Sequence, residues 1–276
     1  MQKRATLDEC CKTWSLKNPA LLFESVLADL YRVELPSGKA GALKLFTPQG
    51  LADEWNGAQL LAWYGGKGAV DVLGLKDGAL LMVWLKGESL MVLCDDGRSD
   101  AAAMIVAELS ILVRGQSTPP PGLTSIDTRF EKLFDYPETD IPVENRDAFR
   151  QAKTVATGML SGIVERVPLH GDLHFRNVLF DGVEWRLIDP KGVMGPPAYD
   201  LANLFINPWD RPKIVLAEGR AKSLARLLSE TTGYAAQELI GWAIAHAVIA
   251  AVWHISAGGS GRHPLRAFDV LFEAQA

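Results

Sequence analysis

Between Leu169 and Phe205 the chain reads LHGDLHFRNVLFDGVEWRLIDPKGVMGPPAYDLANLF, and its oxygen-bearing side chains come in an order that can hold a divalent cation beside a general base. His170-Gly171-Asp172 is followed, five residues after Asp172, by Asn177. Then come apolar Val178 to Phe180, a turn at Asp181 and Gly182, a strand from Glu184 to Ile188 and, at its end, Asp189. Mg²⁺ favours such a set, with few carboxylates, an amide oxygen, and the remaining ligands drawn from water and substrate phosphates. Phosphoryl transfer asks a protein mainly to position and neutralise, so two metal-holding groups next to a carboxylate that accepts a hydroxyl proton suffice. On this reading Asp172 is the base, and Asn177 and Asp189 hold the metal. Taken singly, each is an ordinary turn-forming residue; the order and spacing of the three carry the signal.

The Asp172 to Asn177 interval repeats the five-residue spacing of the kinase catalytic loop. Together with Trp185, an Asp189-Pro190 pair in place of Asp-Phe-Gly, Tyr199-Asp200 and the ending Asn203-Leu204-Phe205, the segment resembles the aminoglycoside phosphotransferase family of the protein-kinase-like superfamily. Within it the resemblance is to the streptomycin 6-phosphotransferase, or aminoglycoside/hydroxyurea resistance kinase, branch. Leu51-Ala52-Asp53-Glu54, Gly66-Lys67-Gly68-Ala69 and the Trp253 region extend the resemblance over most of the chain. It implies an α+β, two-lobed fold with a small antiparallel-sheet lobe and a larger helical lobe. It also implies ATP, or GTP in its place, with Mg²⁺, and as acceptor a hydroxyl of an aminoglycoside such as streptomycin, inactivated by the transfer. The alternatives are a kinase of another small alcohol, sugar or hydroxamate, and a pseudokinase module that binds nucleotide without turnover. A peptide substrate is disfavoured, because Tyr199 follows Asp189 by ten positions and leaves little room for an activation segment.

Such a kinase also needs a cation for the nucleotide phosphates. Lys44 lies in the apolar strand GALKLF, where a buried lysine requires a partner, and Glu54 on the following helix is the natural one. Lys39 is the nearest competitor. Adenine is expected at the joint of the lobes, against Met82, Val83, Trp84 and Leu85. The loop that would cover the phosphates, Ser25 to Asp29, has no glycine-rich sequence; from the resemblance Ser25 is its candidate phosphate contact. The resemblance makes His170 a support of the catalytic loop rather than an acid or base, with Asp200 accepting its hydrogen bonds. His174 is either a substrate contact or a plain loop residue. No HExxH or Cys/His cluster points to zinc.

These residues need a scaffold. Leu21 to Phe46 reads as strands turning at Pro36-Ser37-Gly38, Leu51 to Tyr64 as a helix stopped by Gly65, and Val70 to Leu85 as a hairpin about Asp77-Gly78. Helical patterns follow at Ser99 to Val113, Glu144 to Val164, Lys222 to Thr231, around Trp242, and at Leu265 to Phe272, with a stiff Pro-rich connector at Ser117 to Gly122. The lobes divide as residues 1–87 and 88–276.

A net charge of −5, from 28 basic and 33 acidic residues, disfavours nucleic acid and suits a cationic small molecule. Candidate carboxylates for it are Asp135, Glu138, Asp140, Asp210 and Glu230. Asp210 ranks first because it follows Asn207-Pro208-Trp209 close after the catalytic segment, and Trp209 can stack on a guanidinium. If the substrate is a cation, the acidity should gather round the cleft facing Asp172. Three cysteines without metal spacing and no apolar run in MQKRATLDECCKTW suggest a cytoplasmic protein. The apolar stretch Leu239 to Ile255 contains His246 and His254 and reads as a buried helix, not a membrane span. A monomer or weak dimer is expected.

Overall fold

The computed structural model describes residues 4–114 and 118–275. Helix α1 (Leu7–Trp14) precedes strands β1 (Lys17–Glu24), β2 (Ala28–Glu34) and β3 (Ala40–Phe46); α2 (Pro48–Asp53) and α3 (Trp55–Tyr64) follow, and then β4 (Val72–Lys76) and β5 (Ala79–Val83). The strands form one antiparallel sheet in the order β1-β2-β3-β5-β4. The Asp77-Gly78 turn closes the β4–β5 hairpin with positive φ at both residues, as its sequence requires.

Alternation along β3 aims the site lysine. Leu43 and Leu45 enter a small apolar cluster with Cys10, Leu16 and Val33 on the α1 side of the sheet. Lys44, between them, therefore faces the other side with Ala42 and Phe46. Lys39 sits exposed in the β2–β3 turn.

Three local features differ from the expectations. The strand region begins at Lys17 and holds three strands. Helix α1 was signalled only by the pair Thr6 and Glu9, which form a capping box. The helix expected over Leu51 to Tyr64 starts at Pro48, capped by Thr47, and breaks at Glu54 (φ −125°, ψ −9°), which places Glu54 at the head of α3.

The larger lobe is built from α4 (Met91–Asp95), α5 (Ser99–Leu112), α6 (Ile126–Asp135), α7 (Arg146–Ser161), α8 (Pro212–Val215), α9 (Arg220–Thr232), α10 (Ala236–Ser256) and α11 (Arg262–Gln275). Five short strands accompany them: β6 (Thr124–Ser125), β7 (Val167–Leu169), β8 (Val178–Phe180), β9 (Trp185–Leu187) and β10 (Val193–Gly195). Helix α10 is long and apolar enough to cross a membrane, yet 78% of its apolar window is buried, packed on α7, α9, α11 and the 3₁₀ segment Pro197–Phe205. Of the Pro-rich connector, Ser117 lies outside the described residues; at its next residue, the Thr118 carbonyl accepts a hydrogen bond from Trp63 Nε1 (2.9 Å).

Candidate active site

The β7–β8 and β9–β10 connections meet beneath the sheet, and the 3₁₀ segment Pro197–Phe205 holds them. The buried Asp200 carboxylate accepts the backbone N–H groups of His170 (3.1 Å) and Gly171 (2.8 Å). His170, itself fully buried, faces the Ile188 carbonyl through Nε2 (2.9 Å) and accepts the Asp172 N–H at Nδ1 (3.3 Å). Both ring nitrogens are thus engaged inside the loop. Arg129 donates to the Gly171 carbonyl (3.0 Å).

The Asp172 backbone carbonyl accepts from Asn177 Nδ2 (3.0 Å), which leaves Asn177 Oδ1 as the free oxygen of that amide. Its carboxylate Oδ1 accepts from Asn203 Nδ2 (2.9 Å), and Oδ2 lies 3.8 Å from His174 Nε2. Burial lowers the His174 pKa, although neighbouring Asp172 favours its charged form.

Across from the loop, Lys44 Nζ lies 2.8 Å from Glu54 Oε2 and 2.7 Å from Asp189 Oδ1. Burial alone would lower the lysine pKa, but the two carboxylates outweigh it and the net shift is upward. Burial would likewise raise Asp189, and the Lys44 charge, backed by Lys191, brings it below its ordinary value. Asp189 occupies the left-handed region (φ 57°) and keeps 44% of its side chain open to the cavity. Sequence reasoning missed Lys191, whose Nζ holds the second oxygen of Glu54 (2.5 Å). The one signal for it was a cation beside the Asp189-Pro190 pair. Glycines let α3 approach this segment: a Cβ on Gly57 would overlap the Pro190 carbonyl oxygen, and one on Gly192 (φ 69°) would lie 2.7 Å from the Asn56 backbone.

Two cavities adjoin these groups. One, of about 560 Å³, is largely apolar and is lined by Ala42, Leu80, Met82, Val83, Trp84, Leu85 and Ile188, with Lys44, Glu54, Asn177 and Asp189 at its polar side. Strand pairing ends at Val83, so the backbone of Trp84 and Leu85 runs beyond the sheet along this cavity. Ser25 also lines it, but its hydroxyl accepts the N–H groups of Leu27 (3.2 Å) and Ala28 (3.0 Å) and donates to the Ala28 carbonyl, so it fixes the β1–β2 turn. The second cavity, about 400 Å³, adjoins the loop of Asp172 and His174 and is lined by Asp172, His174, Asn203, Trp209, His246 and Trp253 among others.

Among the residues lining this second cavity Asp172 is the one carboxylate, which corrects the expectation that acidity gathers there. Asp210 lies outside the lining and pairs with Arg176 (2.6 Å) and Arg211 (2.7 Å). Glu138 pairs with Arg150 and Glu230 with Arg226, while Asp135 and Asp140 are exposed. Trp209 lines the cavity, flanked by the rings of His254 (5.3 Å) and His263 (5.4 Å).

A five-stranded antiparallel sheet above a helical lobe, with a lysine–glutamate pair facing an Asp-x₄-Asn loop, defines a protein-kinase-like phosphotransferase acting on an alcohol group. The chain belongs to the aminoglycoside/hydroxyurea antibiotic resistance kinase family, which it matches over residues 13–258. It is 34% identical over 233 residues to a streptomycin 3''-kinase of Klebsiella pneumoniae (82% of this chain, 85% of that protein). It is 28% identical over 268 residues to a streptomycin 6-kinase of Streptomyces griseus, covering 92% and 83%. A hydroxyurea phosphotransferase of Kitasatospora aureofaciens is 26% identical over 261 residues (91% and 72%). Among solved structures, aminoglycoside phosphotransferase APH(4)-Ia bound to ADP and hygromycin B superposes with a TM-score of 0.66 at 15% identity, covering 98% of both chains. A choline kinase of Cryptosporidium parvum superposes with 0.63 at 13%, covering 96% and 90%. At these identities the structures speak to the fold alone.

Proposed function

We propose that the protein transfers the γ-phosphoryl group of ATP to a hydroxyl of streptomycin or a close aminoglycoside relative. The observation that carries this reading is the convergence of Lys44, Asn177 and Asp189 at one cavity with Asp172 at the mouth of another, so that a nucleotide and an acceptor would meet at the loop between them. The joint at Met82 to Leu85 receives adenine, and the lobes divide after Gly87. Lys44, oriented by Glu54, faces the phosphates. Asn177 Oδ1 and Asp189 are hard oxygen donors directed at the same cavity and fit Mg²⁺; when bound, the ion neutralises the phosphates. Asp172 takes the proton of the attacking hydroxyl, whose oxygen bonds to the γ-phosphorus as the bond to the bridging oxygen breaks and ADP leaves. His170 and Asp200 hold the loop.

A volume of about 400 Å³ lies in the range that encloses drug-sized ligands and favours an aminoglycoside over hydroxyurea, which has only a few heavy atoms. Incubating purified protein with Mg·ATP and, separately, streptomycin, other aminoglycosides, hydroxyurea and small alcohols, with products read by mass spectrometry, tests the reading. One added phosphoryl group on streptomycin, lost in Asp189→Asn, is the expected result. Turnover of hydroxyurea alone would move the assignment to that substrate, and no ADP from any arm would leave a binding module.

A further inference from the structure

The roles above leave a line of buried polar groups without a task. Arg129 of α6 donates from Nε to the Tyr199 hydroxyl (3.2 Å), which lies 3.0 Å from His246 Nδ1. His246 Nε2, in α10, lies 3.1 Å from Asn203 Oδ1, and Asn203 Nδ2 lies 2.9 Å from Asp172 Oδ1. Tyr199, Asn203 and His246 are all buried in this apolar part of the lobe.

The two ends set the direction of every bond between them. A guanidinium has only donors and an ionised carboxylate only acceptors. Arg129 fills a lone pair of the Tyr199 oxygen, so the one hydrogen of that hydroxyl turns to His246 Nδ1. A bare Nδ1 leaves the ring proton on Nε2, facing Asn203 Oδ1. From the other end, Asp172 accepts only an N–H, which fixes the Asn203 amide with its nitrogen toward the carboxylate. Both derivations give the same chain, and Asn207 Nδ2 donates to the same Asn203 oxygen (2.7 Å). Burial, with the Arg129 charge behind Tyr199, pushes the His246 pKa down to about 3, in keeping with a neutral ring.

We propose that His246 is a positioning residue: the relay from Arg129 through Tyr199 and His246 orients Asn203, which holds Asp172 by Oδ1 and leaves Oδ2 for the acceptor hydroxyl. This rests on the reading of Asp172 as the base. The competing account is a core histidine whose polar atoms are merely satisfied, for which hydrogen-bond geometry toward Asp172 would be immaterial.

The full chain and its His246→Leu, His246→Gln and Tyr199→Phe variants decide between the two by kcat and KM for streptomycin and ATP. His246→Leu keeps apolar volume and removes both bonds; kcat should fall roughly 10- to 10²-fold with KM for ATP within about twofold. The Gln amide reaches the Nε2 position and can donate to Asn203, so His246→Gln should retain kcat within about fivefold of the parent. If Leu and Gln variants have the same kcat, or if KM for streptomycin rises while kcat holds, the proposal is overturned. Should His246→Leu fail to fold, the Gln and Tyr199→Phe variants together with the ring's tautomer decide. Long-range ¹H–¹⁵N spectra of histidine-labelled protein at neutral pH read that tautomer without substrate, and five histidines are few enough to assign by the His246→Gln difference. A neutral Nε2–H ring at His246 is expected; an Nδ1–H or charged ring refutes the relay. If the parent protein phosphorylates no streptomycin, the functional reading fails by itself and the tautomer still settles the relay.

Discussion

Gly57→Ala isolates the contact that joins the two halves of the site. In an exposed helix interior this exchange stabilises, because alanine exceeds glycine in helix propensity by about 1 kcal/mol. At Gly57 the added methyl would overlap the Pro190 carbonyl oxygen and stand 2.7 Å from its carbon and 3.3 Å from Lys191 Cα. Carbon and carbonyl oxygen approach no closer than about 3.3 Å, and with that oxygen at about half this distance from the added methyl, α3 and the Asp189–Lys191 segment must part by up to about 1.7 Å. The neighbours are backbone, which cannot swing aside as a side-chain end would. Overpacking of this kind costs about 1–3 kcal/mol, and after the propensity gain of about 1 kcal/mol a net loss near 1 kcal/mol should lower the melting temperature by roughly 2–4 °C. The same displacement draws Glu54 and Asp189 away from the common Lys44 contact at 2.8 and 2.7 Å, and a misplacement of about 1 Å can remove 10²-fold in rate. Scanning calorimetry and initial rates of ADP release on the variant, with Gly158→Ala as control, read both effects. Gly158 lies in α7 with nothing within 4 Å of its would-be Cβ, so its exchange should raise the melting temperature and leave the rate alone. A Gly57→Ala protein as stable and as fast as the control would refute the close-packed coupling.

Three further outcomes follow from the same geometry. Asp172→Asn should lower phosphoryl transfer by roughly 10²- to 10⁴-fold while a fluorescent nucleotide still binds within about threefold of the parent affinity. Lys191→Met leaves one Glu54 oxygen without its lysine and should cost about 1–3 kcal/mol, read as a lower urea midpoint, with KM for ATP raised because Glu54 then orients Lys44 less well. His246, with its pKa lowered from 6.5 to about 3, stays neutral in the fold while the unfolded chain takes up a proton below pH 6.5. Stability therefore falls as pH drops from 6.5 to 3, by on the order of 4 kcal/mol at the end of that window. His246→Gln, which has no such group, should show a flatter decline of urea midpoint with acidification than the parent.

The convergence of the candidate catalytic residues was legible because it is local: Asp172, Asn177 and Asp189 lie within one run of sequence, and short strands with a tight turn leave them few ways to be arranged. Lys44 was legible through its neighbours, since Leu43 and Leu45 must face one way and the lysine the other. The Arg129–Tyr199–His246 line was not, because its members come from three separate elements and each by itself reads as a buried aromatic or a surface charge. Lys191 was missed for a related reason: its partner Glu54 is brought to it by the break between α2 and α3, a backbone event at a residue with no helix-breaking character of its own. Helix α6 went unread although Ser125 caps it, since Ile126, Phe130 and Leu133 supply only a short apolar stripe next to the Pro-rich connector.

The acidity of the chain shows how far composition can mislead about a site. An excess of carboxylates says nothing about which of them keep a free face, and here Asp210, Glu138 and Glu230 are matched to arginines of the helical lobe. What remains around the two cavities is divided by sign and by purpose. At the first cavity Lys44 and Lys191 balance Glu54 and Asp189 within one cluster, so on the proposed reading phosphates and a divalent ion would exchange partners there without creating an unpaired buried charge. At the second cavity a single carboxylate, Asp172, stands among Trp209, Trp253 and three histidines. On the proposed reading a cationic acceptor would be held by the ring faces of Trp209 and Trp253, which do not compete with the proton that Asp172 would receive. A carboxylate clamp beside Asp172 would do the opposite: like charge next to the base would alter its proton affinity in step with substrate binding. With the candidate carboxylates paired to arginines or exposed away from the second cavity, the net charge of −5 is a statement about solubility, and the geometry of the site must carry any selectivity for a cation.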